Sequence, residues 1–216
     1  MEKKIEKSKE SEKEKESWIF LLKKAWHFLW KEDSLLSWIV SLIFVFVIVK
    51  FIFFPLLSLI FATPLPLVIV ESGSMHHPGS FVGNVIGSEK NFELWWKEVG
   101  SWYKKKNINF EEAKTWPLKT GLEVGDIVLV SGWGDLKVGD VIVFNANQRH
   151  PIIHRIVEIK NVSGEIFYST KGDNNSGQLA SEKNISQEAV LGKAIFRIPK
   201  VGWVKLVFVK LFELLF

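Results

Sequence analysis

The sequence predicts a mainly β domain of short strands, preceded by one membrane-spanning helix, interrupted by an amphipathic helix and followed by a C-terminal apolar helix. Three observations predict it. Residues 35–62, LLSWIVSLIFVFVIVKFIFFPLLSLIFA, carry a single charge, Lys50. They exceed the roughly 20 apolar residues that a helix needs to cross a bilayer. From Leu65 onward, Val- and Ile-rich runs (LVIV, GDIVLV, VGDVIVF, IIHRIVEI, EIFYST, AVLGKAIFRI) are separated by Gly-Asp and other turn residues, as short strands are. Within this region Phe92, Trp95, Trp96, Val99, Trp102 and Tyr103 recur at helical spacing.

The totals agree with that layout. The chain has 216 residues, 47% of them hydrophobic and 24% charged, with ten Trp and 17 Phe. It is too apolar for a disordered protein and too charged for a bundle of membrane spans. The net charge of +4 is spread among glutamates, which argues against a nucleic-acid partner. There is no cysteine, which excludes a thiol nucleophile, a disulfide framework and a thiolate metal site.

Residues 1–34 form the first element. Their opening, MEKKIEKSKESEKEKE, reads as a solvated charged tail or a marginal helix, and WIFLLKKAWHFLW as a helix at the cytoplasmic interface. Residues 35–63 form the anchor. The hydrocarbon span is expected to end near Phe54, with Lys50 snorkelling outward, Pro55 marking a bend and residues 55–62 interfacial. Lys15, Lys23, Lys24 and Lys31 precede the span and no Lys or Arg occurs in residues 63–82. The positive-inside rule then leaves the N-terminus cytoplasmic and the large C-terminal part outside the cytoplasm. The apolar stretch is too long, and starts too late, for a cleaved leader.

Residues 64–200 form the β domain, with a helical insertion over 79–122. The Trp-rich face of that insertion either packs on the β domain, the preferred reading, or dips into the lipid headgroups. Gly100 interrupts it at a cost of about 1 kcal/mol relative to Ala. Asp126 and Asp140, after Gly125 and Gly139, read as turn residues rather than catalytic acids. Residues 201–216 form an amphipathic or membrane-associated helix, with Lys205, Lys210 and Glu213 in one polar stripe. It is too short to span comfortably, so a surface-lying or partner-binding helix is preferred to a second span.

The residues able to do chemistry are few. A serine hydroxyl becomes nucleophilic when a nearby base takes its proton, and that base needs a pKa near working pH. SGSM at 72–75 follows directly on the apolar run LVIV, an unusual place for flexible polar residues unless a serine is needed near the membrane surface. Of the five histidines, His27 precedes the span, His76 and His77 follow Ser74, His150 precedes Pro151, and His154 lies inside the strand PIIHRIV. His150 and His154 are four apart, a metal-binding spacing only on a helix, so no metal site is expected.

In order, the membrane anchor, SGSM, GDIVLV, VGDVIVF, IIHRIV and STKGDNN resemble the type I signal peptidases, specifically their archaeal and endoplasmic-reticulum branch. The resemblance covers residues 65–200, and its motifs are specific as an ordered set. It implies a membrane-bound serine endopeptidase that removes signal peptides from exported preproteins, cutting after small residues near the membrane. By position, Ser74 matches the nucleophile, His154 the general base and Asp173 the acid that orients the histidine. Ser72 matches the hydroxyl that helps the Ser74 N–H form the oxyanion hole, with Gly73 permitting the geometry. Lys171 is not at the family's base position.

The resemblance implies no cofactor. The implied partners are secretory preproteins and the lipid bilayer, with other membrane subunits allowed. The implied location is the cell membrane, or the endoplasmic-reticulum membrane in a eukaryote. Two departures stand out. Most members have an acidic residue shortly after GDN, where residues 176–179 here read SGQL, leaving Asp173 as the matching acid and Glu182 as a less favoured substitute. Most members also lack the insertion. The rival reading is a non-catalytic, membrane-anchored β domain that binds exported chains within a complex.

Overall fold

The structure, a computed structural model, describes residues 2–79 and 89–215. Residues 80–88 of the expected insertion, and the side chain of Glu213 in the expected polar stripe, lie outside the described residues. Two compact units divide after Leu56.

In the first unit, α1 (Glu2–Lys31) is one continuous helix. It stops three residues before the apolar helix α2, which starts at Leu35 with Ser34 as its N-cap: the Ser34 hydroxyl accepts the Ser37 amide at 3.1 Å. Ser41 Oγ donates to the Leu29 carbonyl of α1 at 2.7 Å, which satisfies one of the orphan carbonyls at the end of that helix. Helix α2 runs over Leu35–Phe61, 27 residues with a mean hydropathy of 2.8, and is long and apolar enough to cross a membrane. The chain stays helical through Pro55, where the sequence predicts a bend. A π turn over Val49–Phe53 precedes the proline, and the helix resumes over Phe54–Phe61. The wider turn absorbs the amide hydrogen bond that proline cannot make. Lys50 sits in that turn, 5.6 and 5.4 Å from the ring centroids of Phe46 and Phe51.

The second unit is built on one antiparallel seven-stranded sheet in the order β1-β2-β7-β3-β4-β5-β6. The strands are β1 (Leu67–Ile69), β2 (Ile127–Ser131), β3 (Val141–Phe144), β4 (Ile152–Val162), β5 (Glu165–Lys171), β6 (Ile185–Ser186) and β7 (Val190–Ile198). The last turn of α2 meets the β2–β3 loop: the Gly132 amide donates to the Phe61 carbonyl at 2.8 Å and the Trp133 indole to the Ile60 carbonyl at 2.8 Å. Asp126 and Asp140 serve turns, as expected. They accept the amides of Glu123 and Lys137 at 2.8 and 2.9 Å.

Three apolar clusters hold this unit together. Val70, Met75, Val128, Val130, Val143 and Ile153 form one, and Ile142, Phe144, Ile156, Tyr168 and Ile185 a second. The third belongs to the insertion, where α3 (Glu89–Lys104) and α4 (Phe110–Lys114) bury Phe92, Trp95, Trp96, Tyr103 and Ala113 with Trp116 and Val157 of strand β4. The Trp-rich face therefore packs on the β domain. Gly100 is used rather than merely tolerated, because a Cβ there would stand 2.7 Å from the Trp96 indole. The last helix, α5 (Trp203–Leu215), leaves Val204, Val207, Phe208 and Leu211 exposed along one stripe. At about 1.5 Å per residue it is too short for the ~30 Å hydrocarbon core.

Candidate functional site

Strand β4 carries two adjacent polar residues, His154 and Arg155, through the middle of the fold. Both are buried, with 4% and 0% of their surface exposed. Successive side chains of a strand point to opposite faces. A buried polar or charged group needs a partner on its own face, so this dipeptide demands two separate sets of partners.

On one face His154 meets Glu182. Its Nδ1 lies 2.5 Å from Glu182 Oε1, with the N–H direction well off the line to the oxygen. Glu182 ends a short 3₁₀ turn, Ala180–Glu182, and is fully buried. Its oxygens also accept the amides of Gly172, at 3.1 Å, and Leu179. Burial pushes the Glu182 carboxyl up, but the contact with His154 and the Leu179 amide outweigh it, and the group is held below its ordinary value. The other ring nitrogen, His154 Nε2, faces Gly172. A Cβ at that glycine would stand 2.8 Å from Nε2 and 2.6 Å from Asn175 Nδ2, so residue 172 must be bare for the turn to close over the imidazole.

On the opposite face Arg155 meets Asp173. Arg155 Nη2 and Nε donate to the carboxylate at 2.7 and 2.9 Å, and Nη1 donates to the carbonyls of Pro117 and Gly139 at 2.9 and 2.8 Å. Asp173 also receives His77 Nε2 at 2.8 Å and the Tyr103 hydroxyl at 3.3 Å. Burial pushes the Asp173 carboxyl up, yet the Arg155 guanidinium and His77 hold it far below the usual carboxylate range. Burial lowers His77 and raises Tyr103, so both stay neutral there at neutral pH. Lys171, the register partner of Arg155, donates to the Gly172 carbonyl at 2.9 Å and lies over the rings of Trp102 and Tyr103. Burial pulls it down to about 8, against the pull of Asp173 and Glu182.

Ser74 stands in a 3₁₀ turn, Gly73–Met75, just past β1. Its carbonyl accepts the Asn174 amide at 2.8 Å, and Asn174 Nδ2 donates to the Gly73 carbonyl at 3.0 Å, so the SGSM and GDN segments are tied together. Ser72 Oγ and Ser74 Oγ are 3.2 Å apart. Gly73 has no left-handed backbone, and a Cβ on it would meet nothing within 4 Å. Its geometry is thus open to any residue, and what glycine supplies is empty space beside the two hydroxyls. Ser72, Ser74 and His154 line one groove of about 520 Å³, walled by Leu67 and Ile69 of β1 and by Ile152 and Ile153 of β4.

The structure therefore brings Ser72, Ser74 and His154 to a common groove and places Asp173 elsewhere, paired with Arg155. The carboxylate against His154 is Glu182. A signal for this was present in the sequence: His-Arg inside an apolar strand requires an anion on each face. Among the described residues, no group of three or more His, Asp or Glu side chains is placed to hold a metal ion.

No family model matches the chain. It is similar to the signal peptidase complex catalytic subunit SEC11 of Lachancea thermotolerans, 31% identical over 97 residues that make up 40% of this chain and 58% of the relative. It is similar to the same subunit of Metarhizium robertsii, 28% identical over 96 residues, and of Metarhizium acridum, 25% identical over 96, each covering 40% of this chain and 56% of the relative. The chain thus spans little more than half the length of the curated relatives it matches, and the likeness points to signal peptidases in general rather than to one branch of them.

Proposed function

We propose that this chain is a membrane-bound serine endopeptidase that removes signal peptides from exported preproteins, with Ser74 as nucleophile, His154 as general base and Glu182 as the acid that orients the base. The observation that carries the reading is the pairing of His154 with Glu182 on the wall of the groove that also holds Ser74. With a buried carboxylate beside Nδ1, the tautomer protonated there is favoured and the imidazole keeps its lone pair on Nε2, the nitrogen that takes the proton from a serine. The off-line contact suits a site awaiting substrate, since such hydrogen bonds often align only when substrate is bound.

In this reading Ser74 Oγ attacks the carbonyl before the cut and forms an acyl-enzyme, releasing the C-terminal part of the preprotein after His154 protonates its amine. Water then hydrolyses the ester. The Ser72 hydroxyl, 3.2 Å from the nucleophile, is within reach of the developing oxyanion and supplements the Ser74 amide. The apolar groove walls favour small side chains beside the cut. The anchor helix, with lysines before it and none just after, supports a cytoplasmic N-terminus and a catalytic domain outside the cytoplasm. It holds the nucleophile near the membrane, where the apolar core of a signal peptide also resides.

The test is cleavage of a preprotein with an Ala-x-Ala site in liposomes, wild type against Ser74→Ala. Cleavage that disappears in the variant is the expected outcome. An active Ser74→Ala protein would overturn the assignment of the nucleophile.

A further inference from the structure

The aromatic insertion does more than bury surface. Its helix α3 touches the GDN turn directly at two points and through His77 at a third, all on Asp173. Trp95 Nε1 donates to the Asp173 carbonyl at 3.0 Å, and the Tyr103 hydroxyl donates to the Asp173 carboxylate at 3.3 Å. The third contact is indirect: Trp95 stacks on His77, with centroids 4.3 Å apart and planes 6° from parallel, and His77 in turn donates to the carboxylate. All four residues are buried. Asp173 is one residue from Asn174, whose amide holds the Ser74 carbonyl, and from Gly172, which covers His154 Nε2.

We propose that α3 is a built-in brace for the active site, in which Trp95, Tyr103 and His77 act as positioning residues that fix the 172–175 turn and so set Ser74 against His154. The catalytic part of this proposal rests on the peptidase reading, but the mechanical part does not. The polar contacts are what distinguish a brace from ordinary packing. Trp96 and Phe110 lie in the same cluster, 5.8 Å apart, and make no such contact. A packing role would make all of these aromatics equivalent. A brace singles out the ones that carry a donor to Asp173.

The experiment compares the double variant Trp95→Phe/Tyr103→Phe with Trp96→Leu, both in the full chain. The double variant keeps an aromatic ring at each position, a smaller one at 95, and removes both donors. Its kcat on the preprotein is expected to fall about tenfold or more, with KM within about twofold, since the loss is of alignment rather than of substrate contact. Hydrogen exchange at the Asn174 amide is expected to quicken about tenfold or more relative to the Val130 amide, which bonds the Pro66 carbonyl. Trp96→Leu should lower the melting temperature without either effect. Tyr103→Phe alone provides a milder version should the double variant fold poorly. Unchanged exchange at Asn174 in the donor-less variants overturns the brace, whether or not the protein cleaves preproteins. Faster exchange with unchanged kcat overturns its catalytic role and leaves the peptidase assignment standing.

Discussion

The two faces of strand β4 solve one problem in opposite ways. On the groove face the imidazole of His154 is paired with Glu182 by a single close contact. On the insertion face a permanent cation, Arg155, is locked to Asp173 by a fork of hydrogen bonds, and Asp173 is gripped again by His77 and Tyr103. The first pair rests on one side-chain contact, which in the proposed reading leaves the histidine able to take up and return a proton. The second is saturated, as a buried ion pair has to be if it is not to cost stability. The difference teaches that proximity in sequence to a motif says little about which carboxylate meets the histidine.

The sharpest way to break the comparison is to neutralise each carboxylate in turn. Glu182→Gln is expected to lower kcat by about 10³- to 10⁴-fold, the scale seen when a base loses its orienting acid, while the protein stays folded. Asp173→Asn is expected to do the reverse. It leaves Arg155 buried and unpaired, at about 3–5 kcal/mol of stability, and the molecules that still fold lose far less of their kcat than Glu182→Gln does. Turnover per folded enzyme, measured beside thermal unfolding, separates the two. If Asp173→Asn silenced a fully folded enzyme and Glu182→Gln left it active, the assignment of the two faces would be reversed.

A smaller effect is expected from Gly172→Ala. The added methyl collides with His154 Nε2 and Asn175, so the imidazole or the turn must shift. A displacement approaching 1 Å costs on the order of 10²-fold in rate. Steady-state kinetics should place that loss in kcat, and an alanine enzyme with wild-type kcat would show that the turn has room to yield.

The smallest effect is in pH dependence, and it belongs to the insertion face. Burial depresses the pKa of His77 below its ordinary 6.5, so on acidification the unfolded chain takes up that proton first. The stability tied to neutral His77 is present in full above pH 6.5 and is lost as pH falls through the lower, folded value. Melting temperature should therefore decline below about pH 6.5, and His77→Phe, which keeps a ring against Trp95, should flatten that decline although it lowers the whole curve. A decline of equal slope in the variant would assign the acid sensitivity to another group.

Much of this architecture was legible in the residues. The strand runs marked the β domain, the single long apolar stretch marked a helix long enough to cross a membrane, and the ordered motifs singled out Ser74 and His154, which line one groove. The period of Phe92, Trp95, Trp96 and Tyr103 gave the insertion helix, though not its docking partner, since an aromatic face suits a protein core and a headgroup layer equally. The orienting acid was less legible, because motif matching counts along the chain while a strand divides its neighbours between faces. His77 looked like a loop residue beside the nucleophile. Its burial depends on Trp95, 18 positions away, closing over it. Pro55 read as a bend, and composition does not reveal the π turn that precedes it.

A carboxylate supplied by a loop turn also has consequences for how this chain can tolerate insertion and deletion. Lose or gain one residue within β4 and every later side chain of the strand changes face, so His154 and Arg155 would exchange partners and both pairings would fail. The segment between Asn174 and Glu182 is under no such periodic constraint: it need only return a short turn to the same place beside the imidazole. Length changes there can relocate the acid along the chain while leaving it fixed in space, and a reader aligning such chains position by position would take the acid to be lost when it had only been renumbered.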